Sequence, residues 1–154
     1  MLFAELLPLC QQLRNRRLHI TIETAGTLFL PLECDLMSIS PKLSNSAPSA
    51  AQAGSWRDRH EKTRHAPDVM RQLLSRYRYQ LKFVVERLED CREVEVYLQQ
   101  FSEVDSTRVM LMPQATTRRQ QVEIATWLEP FCRQRGWSFC PRRQLDWYGL
   151  QRGT

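Results

Sequence analysis

A chain of 154 residues, 42% hydrophobic and 25% charged, has the size of one domain and enough apolar residues for a core. No apolar run approaches a membrane span, the first residues carry Glu5 and no basic stretch of a signal peptide, and five scattered cysteines argue against a disulfide framework or a zinc finger, so a cytoplasmic protein is expected. The net charge of +5, mostly from arginine, suits an anionic small ligand or nucleic acid, but no RNP or other nucleic-acid motif accompanies it.

Apolar residues at Leu2, Phe3, Leu6, Leu7, Leu9, Cys10 and Leu13 follow helical spacing, with Pro8 expected to break or kink the helix or to mark where its regular part begins. Leu18-His19-Ile20-Thr21-Ile22 alternates and is β-branched, which predicts a strand running into the turn Glu23-Thr24-Ala25-Gly26-Thr27. Leu28 to Leu32 is a short connection with room for one helical turn. A second strand is expected over Cys34 to Ile39. Ser40-Pro41 stops it, and a lysine and a Ser/Asn cluster follow: Lys42-Leu43-Ser44-Asn45-Ser46. Either this is an ordinary turn after a buried strand, or it is a ligand-binding edge.

Residues 44–66 turn Ser/Ala/Pro-rich and then strongly charged, which reads as a long loop, either a mobile lid or a solvated insertion. Pro67 opens a helix to about Tyr77. Leu81-Lys82-Phe83-Val84-Val85 is a mostly apolar strand, expected to be buried on both faces, with Lys82 pointing either into a barrel or out to solvent. A helix follows over Glu89 to Phe101. Arg108 to Met112 is a strand stopped by Pro113. The polar turn Gln114-Ala115-Thr116-Thr117 leads into a helix from Arg118 to Gln134, whose core face includes Val122, Ile124, Ala125, Leu128 and Phe131 and which ends at Gly136. Trp137 to Cys140 is a short strand, and the aromatic tail from Arg142 to Gly149 is expected to dock.

This alternation predicts a single α/β domain over 1–154 with a largely parallel sheet. Three polar strand ends, at Glu23–Thr27, Ser40–Lys42 and Gln114–Thr117, would then converge on one rim, as at the carboxyl ends of β/α barrel strands.

Four segments, Ile22 to Thr27, Asp35 to Ser46, Leu81 to Val85 and Met112 to Gln114, together with the tail Pro141 to Thr154, resemble in order the C-terminal part of the 7-carboxy-7-deazaguanine synthase family. What the resemblance implies is the C-terminal portion of a partial β/α barrel of radical S-adenosylmethionine type, in a homodimer. The implied reaction is the ring contraction of 6-carboxy-5,6,7,8-tetrahydropterin to 7-carboxy-7-deazaguanine with loss of ammonia, in queuosine (7-deazapurine) biosynthesis, a tRNA modification pathway. A 4Fe–4S cluster and Mg2+ would assist, and no direct nucleic-acid or membrane partner is implied. By the same resemblance Ser40, Pro41, Lys42, Gln114, Ala115, Thr116 and Thr117 contact S-adenosylmethionine, and Thr154 lies near the substrate; toward that implied cofactor Lys42 could orient the carboxylate, Glu23 could hold a hydroxyl or amine as a further cofactor-binding residue, and Ser40 could hydrogen-bond. The family's C-x-x-x-C-x-x-C cluster motif does not occur in this sequence. The expectation is therefore an incomplete domain, inactive alone, with no catalytic or metal-ligating residue of its own. The alternative is a non-catalytic α/β module that binds a nucleotide or RNA.

Overall fold

A computed structural model describes residues 2–47 and 64–149. Five parallel strands, β1 (Thr21–Thr24), β2 (Leu36–Ile39), β3 (Tyr79–Val85), β4 (Val109–Pro113) and β5 (Ser138–Phe139), form one sheet in sequential order. The helices are α1 (Leu2–Asn15), α2 (Pro67–Arg76), α3 (Leu88–Leu98), α4 (Arg118–Gln134) and α5 (Arg143–Tyr148). A parallel sheet in strictly sequential order, joined by right-handed crossovers, puts its crossover helices on one face. The core agrees: Met70, Leu73 and Leu74 of α2, Cys91, Val94 and Tyr97 of α3, and Leu128 and Cys132 of α4 pack with Met37, Ile39, Leu81, Phe83, Val85, Val109 and Leu111. The expected α/β architecture with a parallel sheet is thus present.

The register assigns the second face. Glu23 pairs with Ser38, Ser38 with Gln80, Lys82 with Met110, Val84 with Met112, and Met110 with Ser138. These residues alternate with the core row and form what we call the open face. β3 is therefore not buried on both faces: Tyr79, Leu81, Phe83 and Val85 are buried, whereas Gln80, Lys82 and Val84 are half-buried. The mainly apolar run masks a period of two because Val84 stands on the open side.

Several expected boundaries move. Helix α1 runs through Pro8 rather than breaking there; the ring removes one backbone donor and leaves the rest of the ladder in place. Its C-terminus is closed by Arg17, which adopts φ 58°. Leu18 N–H donates to the Leu13 carbonyl and Arg17 N–H to that of Arg14, the Schellman pattern usually given to glycine. This closure occupies Arg16 to Leu18, so β1 begins at Thr21 and not at Leu18. β2 begins at Leu36, because Asp35 is spent on Arg14 Nη1 at 2.7 Å and Ile20 N–H at 2.8 Å. Residues 28–32 form no helical turn; Leu32 N–H closes a tight turn on the Leu30 carbonyl instead.

The front of the expected loop is fixed. Ser44–Ser46 form a 3₁₀ turn whose Ser44 N–H and hydroxyl both donate to Glu93 on α3. Residues 48–63 lie outside the described residues. On α4, Val122 is 57% exposed while Gln121 is buried, because Gln121 Oε1 accepts the Arg142 N–H at 2.7 Å. Of the apolar side chains described in the tail Leu145 is buried, whereas Trp147 is 67% and Tyr148 53% exposed.

Candidate functional site

The carboxyl ends of β2, β3 and β4 lie side by side. Ser40, Pro41 and Lys42 line a cleft of about 360 Å3 together with Val84 and Gln114. Pro41 is buried and fixes the turn, while Lys42 is exposed and Ser40 half-buried. Ser40 N–H donates to the Thr24 carbonyl at 2.7 Å, extending the β1–β2 ladder by one bond. Gln114 N–H does the same on the Val85 carbonyl at 2.8 Å. The Ser40 hydroxyl and the Lys42 ammonium have no partner among the described residues, so both are available to a ligand.

The rest of the second rim segment is committed to the fold. Ala115 is buried. The Thr116 N–H and hydroxyl both donate to Gln120 Oε1, at 3.0 and 2.9 Å. The Thr117 hydroxyl caps α4 by accepting the Gln120 N–H. Thr116 faces a separate groove of about 1110 Å3 that runs from Met110 and Ser138 to Arg142 and Trp147. Thr154 lies outside the described residues.

Glu23 does not line the Ser40–Lys42 cleft. It stands on the open face, where Lys82 Nζ lies 3.5 Å from its Oε1. The Lys82 side chain is only 20% exposed and that of Glu23 74%. The lysine therefore points across the open face of the sheet and does not snorkel away. Beside the pair, Gln80 Nε2 donates to the buried Ser38 hydroxyl at 2.9 Å. A cation, a carboxylate, an amide and a hydroxyl thus project from three adjacent strands, with the two charges paired to each other, an arrangement that can orient a small polar ligand.

Sequence reasoning missed the groups that hold this rim. Asp90, buried at the start of α3, accepts the Glu86 N–H at 2.7 Å, the Arg87 N–H at 3.2 Å and Asn45 Nδ2 at 2.9 Å. Asn45 also donates to the Val84 carbonyl, so the Ser/Asn cluster after Lys42 anchors the turn to α3 while Asn45 and Ser46 line the cleft. An Asp in the first turn after a strand was the available signal; its partner 45 residues earlier was not. Arg142 ties the tail to the rim: Nη1 donates to the Ala115 carbonyl at 2.8 Å, and its buried Nε has no hydrogen-bond partner.

The five cysteines do not fit an iron–sulfur cluster, which needs converging thiolates. All are free. Burial pushes the Cys91 thiol up to about 12 and the Cys132 thiol to about 11, on the helix side of the sheet. Cys10 and Cys34 pack around α1. Among the described residues no group of three or more His, Cys, Asp or Glu side chains converges on a metal position. No described helix is long and apolar enough to cross a membrane.

No protein-family model matches the chain. It is 39% identical over 147 residues to the 7-carboxy-7-deazaguanine synthase of Rhodopirellula baltica, covering 95% of this chain and 57% of that protein. It is 34% identical over 137 residues to the 7-carboxy-7-deazaguanine synthase of Halobacterium salinarum, covering 80% of this chain and 52% of that protein. The chain thus spans about half the length of the curated relatives it matches. Nearly all of it therefore corresponds to part of a 7-carboxy-7-deazaguanine synthase, consistent with the C-terminal portion that its motifs resemble.

Proposed function

We propose that this chain supplies the S-adenosylmethionine-binding rim of a 7-carboxy-7-deazaguanine synthase. The complete enzyme would be a cytoplasmic homodimer that converts 6-carboxy-5,6,7,8-tetrahydropterin to 7-carboxy-7-deazaguanine with loss of ammonia. The observation that supports this reading is the convergence of Ser40, Lys42 and Gln114 on one cleft at the carboxyl ends of parallel strands, where ligands of such sheets sit.

Lys42 would hold the carboxylate of S-adenosylmethionine, and the Ser40 hydroxyl and Gln114 amide would take its amine or ribose hydroxyls. Bound and reductively cleaved, that group supplies the radical that abstracts a substrate hydrogen. The Glu23–Lys82 pair, on the face next to the rim, would hold the polar edge of the substrate; its half-buried lysine orients the carboxylate. Pro41 and the Asn45–Asp90 anchor keep the turn in place before the ligand arrives. The 4Fe–4S cluster and Mg2+ of the family would be held by residues other than those of this chain.

Calorimetric titration with S-adenosylmethionine tests the rim. Lys42→Ala should weaken binding by about tenfold, the loss of one charge-assisted contact, with unchanged melting because its side chain is exposed. Equal affinity would remove Lys42 from the site. Anaerobic reconstitution of this chain with iron and sulfide should give neither a stoichiometric cluster nor 5′-deoxyadenosine; obtaining both would overturn the division of labour proposed here.

A further inference from the structure

At the opposite ends of the strands from the Ser40–Lys42 cleft lies a second one, of about 350 Å3. Its basic residues come from three separate places in the chain: His19 just before β1, Arg78 just before β3 and Arg108 just before β4. We propose that this cleft binds a phosphate dianion, free or as the end group of a small phosphorylated molecule.

Three observations support it. First, an imidazole and two guanidinium groups converge from residues 59 and 30 positions apart in sequence (19 to 78, 78 to 108), brought together only by the parallel order of the strands. Second, the acid in the cleft, Asp35, is already committed. It accepts from Arg14 Nη1 at 2.7 Å and from the Ile20 N–H at 2.8 Å, and His19 Nδ1 lies 3.8 Å from its Oδ2, so Arg14 offsets its charge and the arginines Arg78 and Arg108 are left to the cleft. Arg16 and Arg17, both exposed, add positive charge at the same end of the sheet. Third, Arg108 is pre-positioned. Its guanidinium lies 4.9 Å from the centre of the Tyr79 ring, and Asp105 holds its Nε at 3.5 Å. Asp105 is in turn shared with the Thr107 N–H and hydroxyl. The guanidinium edge beyond Nε remains for a ligand, in the planar fork that matches phosphate. Arg78 is exposed and its side chain has no ion-pair partner among the described residues.

The floor is different in kind. Leu36 and Met110 are half-buried open-face residues, and Gln80 lies between them. Such a floor accepts the apolar or heterocyclic body of a phosphorylated molecule, and the volume is within the range of small-ligand pockets. The site stands independently of the function proposed above, since it uses none of the rim residues.

The test is calorimetry on this chain at low ionic strength, with inorganic phosphate and with adenosine monophosphate as probes. Saturable 1:1 binding of phosphate is expected, weakened at least about tenfold by Arg78→Gln with Arg108→Gln. The control, Arg92→Gln with Arg133→Gln, removes the same charge from exposed helix positions and should change affinity by less than about twofold. Arg108 packs on Tyr79, so Arg78→Glu is the variant that spares the fold; it alone should abolish phosphate binding with unchanged melting. Tighter binding of adenosine monophosphate than of phosphate supports a phosphorylated molecule as the source, and equal or weaker binding supports free phosphate. Absence of saturable phosphate binding, or equal weakening by both double variants, overturns the proposal.

Discussion

The two faces of the sheet are built from alternate residues of the same strands, yet they obey different rules. Along β3, Phe83 is fully buried and packs edge-on against Tyr97 with ring centroids 5.5 Å apart. Its neighbour Lys82 meets Glu23 across the open face. One face gains its free energy from area removed from water; the other offers half-hydrated polar groups worth little to stability and available to a ligand. A single peptide unit separates the residue that holds the fold from the residue that can serve the site.

The largest test of that contrast is Phe83→Ala. Truncating a fully buried aromatic should cost about 3–5 kcal/mol in chemical denaturation, and a loss below about 1 kcal/mol would mean the helix side is not the tightly packed one. Asp90→Ala probes the polar exception within the buried side. Three donors lose their acceptor at once, for an expected loss of about 2 kcal/mol. Because Asn45 is one of them, the turn after Lys42 should also become more open to proteolysis. Lys82→Met should change stability by less than about 0.5 kcal/mol, the scale of a pair with one well-exposed partner. A loss comparable to that of Phe83→Ala would erase the distinction between the faces.

The smallest effect is one that acid removes. The hydrogen bond from Arg14, aided by the Ile20 N–H, holds the Asp35 carboxyl below the usual carboxylate range. A folded-state value below the unfolded one gives stability that is complete above roughly pH 4 and is lost as pH falls through the folded value. Melting followed from pH 6 to pH 2 should therefore show wild type and Asp35→Asn converging at the acid end. Parallel curves would show that the carboxylate adds nothing specific.

Much of this arrangement was legible in the sequence. Pro67, Pro113 and Gly136 mark real boundaries because ring closure and positive φ act locally. Ser40-Pro41-Lys42 and Gln114 were readable as strand ends. What failed depended on partners distant in sequence. Val84 looked like core until the register placed it beside Met112 on the open face. The tail aromatics Trp147 and Tyr148 stay exposed, and Leu145 is the buried apolar side chain among the described tail residues.

The central position of β3 sets a gradient in time as well as in space. It is hydrogen-bonded on both sides, to β2 and to β4, whereas β1, four residues long, is paired on one side only among the described residues. Amides of β3 should therefore exchange with deuterium last, and those of β1 early, by local opening. Lys82 and Glu23 sit at the two ends of that gradient. When β1 loosens, the carboxylate departs with it, while the lysine stays where the slowest part of the molecule holds it.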